Sequence, residues 1–147
     1  MLMACRNTPR VQPALVATRF VQALNARDLD AMVADATLPF TFTTQMWESA
    51  SDGSGFVLGA AEMKVADSPG ALAGLLKDVV GRVRIEGTAP VISPPSQAEL
   101  FRDPLEQEAS WSGLELVVFL RGQEDVEHIA IVGVQAATGK IRAMYLN

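Results

Sequence analysis

The sequence is poor in the residues that build disulfides and metal sites. Its 147 residues contain one cysteine and one histidine, so neither an internal disulfide nor a zinc site of the usual kind can form within one chain. Charged residues make up 20% of the chain and the formal net charge is −5. Because phosphates require a basic surface, this balance excludes nucleic acid as a partner. We predict no metal and no cofactor.

Long hydrophobic runs are also lacking. A membrane-spanning helix needs roughly 18 consecutive apolar residues, whereas the longest apolar stretches, 114–120 and 129–134, have the length of strands. The chain is nevertheless 49% hydrophobic, with a mean hydropathy of +0.20. This composition excludes intrinsic disorder and indicates that some apolar surface meets a partner or a ligand.

The first residues allow two interpretations. The segment Leu2-Met3-Ala4-Cys5 resembles the end of a bacterial lipoprotein signal, although the charged and apolar regions that belong upstream are missing. We predict a cytoplasmic protein whose residues 1–12 form a disordered tail. The alternative is an envelope lipoprotein anchored at Cys5, with a true start further upstream.

Residues 13–147 are predicted to form a single domain, since the length fits one core. The apolar spacing and the caps Asp28 and Ser68 predict helices, and alternating or aromatic-rich runs predict strands. The predicted helices are 13–26, 29–35, 69–81 and 97–108. The predicted strands are 40–47, 56–66, 82–87, 114–121, 126–135 and 140–146.

This order of elements indicates an α+β fold rather than an alternating one. The last three strands are joined by short loops, so they should be antiparallel neighbours. Both alternating sets of residues in 114–121 and in 128–135 are largely apolar in the middle of the strand, and such strands are covered on both faces. We expect helices to cover one face and a second copy of the chain to cover the other.

Two stretches resemble the nuclear-transport-factor-2-like superfamily, particularly its polyketide-cyclase (SnoaL)-like members. Residues 20–32, FVQALNARDLDAM, are similar to the opening helix pair, and residues 138–145, TGKIRAMY, to the last strand. The resemblance implies a cone-shaped, curved antiparallel sheet wrapped around an N-terminal helix layer, a cystatin-like arrangement. It also implies a pocket between sheet and helices, and a homodimer formed through the sheet.

The catalytic candidates are His128 and Tyr145. Enzymes of this superfamily commonly use a carboxylate or a histidine as proton shuttle, and His128 lies on the penultimate predicted strand. The alternative for His128 is a half-exposed ring beside the acidic residues of 124–127, which resemble a solvated hairpin more than a metal site. The alternative for Tyr145 is an amphipathic ring at the rim. The aspartate patterns of the ketosteroid-isomerase-like and epoxide-hydrolase-like members are not matched.

Apolar residues supply the ligand-binding candidates, which would line the pocket that the resemblance implies. They are Phe40, Phe42, Trp47, Trp111 and Met144. Residues of these types are also typical of an ordinary core. Three functions therefore stay open: a domain that binds an apolar small molecule or acts as a scaffold, an isomerase or cyclase acting on an apolar carbonyl compound through His128, and a module that binds proteins through its sheet face.

Overall fold

The computed structural model of the chain describes residues 12–85, 109–121 and 128–147. Their mixture of helices and one sheet confirms the predicted α+β class. The tail up to residue 11, the helix 97–108 and the acidic hairpin residues 122–127 lie outside the described residues. The elements follow in the order α1 (Pro13–Asn25), α2 (Leu29–Asp35), β1 (Ala36–Ser49), β2 (Phe56–Ala66), α3 (Pro69–Arg82), a short 3-10 helix (Ala109–Trp111), β3 (Glu115–Leu120), β4 (Ile129–Gln135) and β5 (Lys140–Leu146).

The helices begin where the sequence places their caps. Asp28 accepts a hydrogen bond through Oδ1 from the Ala31 amide at 3.1 Å, and Ser68 accepts one through Oγ from the Ala71 amide at 3.2 Å. Each cap satisfies an amide that the first helical turn leaves unpaired. Proline at the start of α1 and of α3 fits the same rule. Both predicted caps are confirmed.

The five strands form one sheet in the order β2-β1-β5-β4-β3. The last three strands are antiparallel neighbours, as predicted, and β1 pairs with β2 antiparallel. The pairing of β1 with β5 is parallel, so the expectation of a wholly antiparallel sheet is wrong at this one ladder. Since β1 and β5 are far apart in the sequence, no short hairpin dictates their relative direction.

Strand β1 begins at Ala36, four residues before the predicted start, and therefore contains Pro39. Pairing with β2 starts only at Phe40, and pairing with β5 jumps from Ala36 to Thr41. Pro39 falls in that gap, where its missing N–H deprives no ladder of a hydrogen bond. The strand therefore accommodates the proline, and α2 has already ended at Asp35.

The predicted strand 82–87 is wrong over its described part. Arg82 is the last residue of α3, and residues 83–85 belong to no strand. The Val83 amide still bonds to the Val79 carbonyl, and Ile85 is fully buried against the helices. The alternation of apolar and polar residues here comes from one buried side chain after a helix end, which a pattern of period two cannot distinguish from a strand.

Two apolar clusters lie on opposite faces of the sheet. The helix-facing side contains Phe20, Leu24 and Leu76 from the helices, packed against strand residues such as Phe42 and Met144. The outer face holds a second cluster of Trp111, Val118, Ile129, Ile131, Ala143 and Tyr145. Cross-strand pairs share a face, so one outer row runs across the sheet through Val118, Ile131, Tyr145, Thr43 and Met63.

The outer face of β3–β5 is covered by the chain itself. Ile129 and Ile131 are fully buried in the single chain, and the 3-10 helix carries Trp111 onto β5 and onto Gly133 of β4. The prediction that both faces of these strands are covered is therefore confirmed. A second copy was the simplest expected cover for the outer face. Trp111 of the same chain lies on that face at β4 and β5, so the burial of these strands requires no partner.

Asn25 ties Ile85, three residues past the end of α3, to the end of α1. Its Nδ2 donates to the Ile85 carbonyl at 2.6 Å, and its Oδ1 accepts from the Ile85 amide at 2.9 Å. We expect Asn25→Ala to lower the free energy of unfolding by about 1–3 kcal/mol, since two half-buried backbone groups lose their partner. Urea unfolding measures this. Asn25→Asp keeps only the hydrogen-bond acceptor, so its free energy of unfolding should lie between those of the wild type and the alanine variant. An alanine variant as stable as the wild type would contradict this role of Asn25.

Candidate functional site

His128 lies at one end of the sheet, directly before β4, in a small polar group with Arg121 and Asn147. The Arg121 guanidinium donates through Nη1 to the main-chain oxygen of Asn147 at 2.8 Å, and His128 Nδ1 lies 3.3 Å from the same oxygen. The Arg121 amide donates to the His128 carbonyl at 2.8 Å. Partial burial lowers the pKa of Arg121 below its ordinary value. A ring that donates through Nδ1 has Nε2 left to accept a proton.

Asn147 holds this polar group to the sheet. Its side chain is fully buried, and its Oδ1 accepts from the Ile129 amide at 2.6 Å. Its Nδ2 is buried and has no hydrogen-bond partner among the described residues. The side-chain amide of Asn147 thus extends the β4–β5 ladder past Leu146. It thereby fixes the position of the Asn147 main-chain oxygen, which Arg121 and His128 approach.

Tyr145 faces the opposite side of the molecule from the helices and does not join His128. It is 2% exposed within the outer cluster, and its hydroxyl donates to Gln45 Oε1 at 2.9 Å. Burial raises the pKa of the phenol well above its usual value of 10.0, because the phenolate would lose its hydration. The structure therefore places the two catalytic candidates in separate environments.

The raised pKa of Tyr145 makes stability depend on alkaline pH. The folded protein holds the phenolic proton more tightly than the unfolded chain, so this contribution is complete below pH 10 and is lost as the pH rises above it. Since Tyr145 is the only tyrosine, tyrosinate absorbance reports it alone. We expect that absorbance to appear together with unfolding, and Tyr145→Phe to remove this part of the pH dependence. Ionisation near pH 10 in the folded protein would contradict the burial.

The five ligand-binding candidates do not surround one space. Phe40, Phe42 and Met144 are buried in the helix-facing core. Trp111 is buried in the outer cluster and Trp47 packs at its border. The Nε1 atom of Trp111 is buried without a hydrogen-bond partner among the described residues. The sheet thus divides the five residues into two groups that cannot contact a common small molecule.

A shallow cleft opens on the helix-facing side of β1 and β2, beside the end of α3. It measures about 80 Å³ and is lined by Phe42, Thr44, Glu62, Lys64 and Arg82. Asp78 Oδ2 bonds to Arg82 Nη2 and lies 3.8 Å from Lys64 Nζ. Ligand pockets for drug-sized molecules measure roughly 300–1,000 Å³, so this cleft is too small for a polyketide-sized compound. Of the predicted site residues, Phe42 alone touches it.

Strand β2 carries an exposed apolar surface that sequence reasoning missed. Phe56, Met63 and Val65 are each more than half exposed, and Leu58 and Ala61 share their side of the strand through pairing with Trp47 and Gln45. We call these five β2 residues the β2 surface. The alternation of apolar and charged residues in 61–65 indicated a one-sided strand, but it could not tell that its apolar side would meet solvent.

Metal binding finds no support in the described part of the chain. Residues 12–85, 109–121 and 128–147 contain no group of three or more histidine, cysteine, aspartate or glutamate side chains that could hold an ion. In the same ranges, no helix has the length and apolar character needed to cross a bilayer. Cys5, the lipidation candidate, and the acidic residues Glu124, Asp125 and Glu127 lie outside these ranges.

Comparison with known proteins gives similarity at the level of fold. No protein-family model and no curated protein matches the chain. Among solved structures, an NTF2-like protein of unknown function from Cytophaga hutchinsonii ATCC 33406 is similar, at 10% identity and a TM-score of 0.43, over 95% of this chain and 92% of that one. A protein of unknown function with a cystatin-like fold from Methylobium petroleophilum PM1 is similar at 14% identity and a TM-score of 0.46, over 95% and 78% of the chains.

The superfamily and its polyketide-cyclase-like subtype both stay expectations from the sequence. At these identities and TM-scores the likeness is limited to the general arrangement of helices and sheet. It assigns no activity, ligand or partner to this chain.

Proposed function

We propose that this chain is a binding or scaffold domain that self-associates through the β1–β2 side of its sheet. The observation that carries the proposal is the outer row from Val118 to Met63. Its members are buried within the single chain as far as Thr43, and the row ends on a Met63 side chain that is 55% exposed. Contiguous exposed apolar surface on a small domain is typical of an interaction site.

The packing on the other side supports a scaffold over a pocket. The largest side chains between helices and sheet, among them Phe20, Met32 and Phe40, are fully buried against one another. The described residues on that side leave the 80 Å³ cleft beside Lys64 and Arg82, which is charged at its rim. Among the described residues, the close packing of Phe20, Met32 and Phe40 therefore favours a scaffold.

Native mass spectrometry of the purified chain tests this function directly, because it reports oligomeric state and any co-purified compound together. We expect a homodimer of apparent mass twice 15.7 kDa without a retained small molecule. A monomer that carries a stoichiometric apolar compound would contradict the proposal and favour a ligand-binding domain.

The second candidate is proton-transfer catalysis by His128, and the polar group at the sheet end favours it. The main-chain oxygen of Asn147 lies 3.3 Å from Nδ1 of the ring, and in the tautomer that donates through Nδ1 the Nε2 atom serves as the base. His128→Ala should change the free energy of unfolding by only about 0.5 kcal/mol, since the ring is partly exposed and makes one long contact. Against a panel of enolisable apolar ketones, loss of activity in this variant alone would support catalysis; the same rates in both proteins would exclude His128 as the base.

A further inference from the structure

Strand β2 is the edge of the sheet and is unusually open for an edge. Within the described residues it pairs only with β1. Residues 60–65 are all exposed, and they include no proline. Natural edge strands are usually shortened, bulged or studded with charges so that they do not pair with another strand. The irregularity in β2 lies before this stretch, between the pairs Trp47–Leu58 and Gln45–Ala61, so residues 61–66 form a regular edge with one acidic and one basic residue, Glu62 and Lys64.

We propose that two copies of the chain join through the β2 edges, antiparallel, with Met63 of one copy opposite Met63 of the other. This inference rests on the proposed self-association and specifies its surface and its register. The joined β2 strands would make one continuous sheet of ten strands, and the β2 surfaces of both copies would become neighbours on its outer face.

Symmetry restricts the registers that such a pair can adopt. Residues that oppose each other across two strands lie on the same face of the sheet, and side chains alternate between faces along a strand. A two-fold axis perpendicular to the sheet keeps each face on its own side. The residue numbers of two opposed residues must therefore differ by an even number. The axis then passes beside one residue that opposes the same residue of the second copy.

Charge then selects the residue on the axis. With Met63 there, Glu62 of each copy faces Lys64 of the other, and two opposite-charge pairs form by symmetry. An axis at Glu62 or at Lys64 would oppose two like charges. Among the described residues Glu62 forms no ion pair, and Lys64 makes only the long, exposed contact of 3.8 Å with Asp78. Both side chains are thus available to a second copy.

The apolar residues fit the same register. Val65 faces Ala61 of the second copy, and Met63 faces Met63, all on the outer face. A large side chain opposes a small one on each side of two flexible methionines, so the pair closes without overlap. The arrangement brings Ala61, Met63 and Val65 of both copies into contact on the outer face.

Cysteine cross-linking tests the register in a Cys5→Ser background. Met63→Cys should form a disulfide-linked dimer under mild oxidation, because directly opposed Cβ atoms lie about 4.5–5.5 Å apart. Val65→Cys is the matched control, on the same strand and face and equally exposed. In the proposed register the two cysteines at position 65 would be about 13 Å apart. The Val65→Cys variant should therefore cross-link at least about tenfold less than Met63→Cys. Equal cross-linking, or cross-linking of Val65→Cys alone, would overturn the register.

Charge reversal tests the pairing by sedimentation equilibrium. Glu62→Lys or Lys64→Glu alone should weaken the dimer about tenfold, since each replaces two attractive pairs by two repulsive ones. The double reversal should restore wild-type affinity, although it also lacks the Lys64–Asp78 contact. A dimer that no reversal affects and that Met63→Cys does not link would overturn the edge interface and leave self-association intact. A wild-type chain that stays monomeric, or binds a different protein or a small molecule instead, would overturn both.

Discussion

Replacing Ile131 with aspartate is expected to leave no stably folded protein. Ile131 is fully buried at the centre of β4, between Val118 and Tyr145 on the outer row. An unpaired buried charge commonly costs more than about 4 kcal/mol, a large share of the 5–15 kcal/mol by which domains are stable. Circular dichroism and urea unfolding of the soluble fraction measure the loss.

Ile131→Val is the matched control, because it removes one methylene and adds no charge. We expect it to fold and to lose only about 0.5–1.5 kcal/mol. An aspartate variant that unfolds at the urea concentration of the wild type would show that the outer face of β4 is wet. The account of the outer cluster would then be wrong.

Replacing Trp111 with alanine is expected to cost about 3–5 kcal/mol, the usual loss when a large buried aromatic side chain is deleted. The indole lies on β4 at Gly133, where a methyl group added to the glycine would stand 2.9 Å from Trp111 Cζ3 and 2.8 Å from Leu114 Cδ1. Removal of the indole should uncover Ile131 and Ala143. Binding of a hydrophobic dye by the folded variant, together with urea unfolding, measures both effects.

Gly133→Ala provides the complementary change for a double-mutant cycle. Alone it should cost about 1–3 kcal/mol, because the added methyl pushes against the indole. In the Trp111→Ala background the cost should shrink, since the space is then vacant. Additive effects would mean that the indole does not rest on Gly133, and the cover of the outer face would need another explanation.

The helices could be predicted from the sequence because their signals are local. The cap at Asp28, the Ser68-Pro69 start and the apolar spacing of Val16, Phe20 and Leu24 each act within a few residues. The short loops that join the last strands fix their antiparallel order for the same reason. These features were predicted correctly without knowledge of any distant contact.

The features that the sequence could not supply depend on distant contacts. Nothing near β1 indicates that it pairs in parallel with β5, about a hundred residues later. Nothing near Trp111 indicates that its ring covers Gly133 instead of filling a pocket. A strand with two apolar faces is predicted to be buried on both faces. The sequence pattern is the same whether a face is buried by the same chain or by a second copy.

The candidate site was predictable only in part, for a chemical reason. Aromatic and methionine side chains occur both in cores and in pockets, so the residue type does not tell the two apart. The sequence therefore could not show that Phe40, Phe42 and Met144 lie on one face of the sheet and Trp47 and Trp111 on the other. His128 was predicted to lie on the strand 126–135, whereas the structure places it directly before β4. Its neighbour Asn147 was missed, because an asparagine after a strand has many ordinary explanations.

Hydrogen exchange at two protein concentrations tests the central claim, that β2 is the surface on which the chain associates. As the concentration rises through the dimer dissociation constant, we expect amides in residues 61–66 to become protected, while those of α1 and β4 stay unchanged. Protection confined to the helices or to the outer face of β3–β5 would contradict the account, as would exchange in β2 that does not depend on concentration.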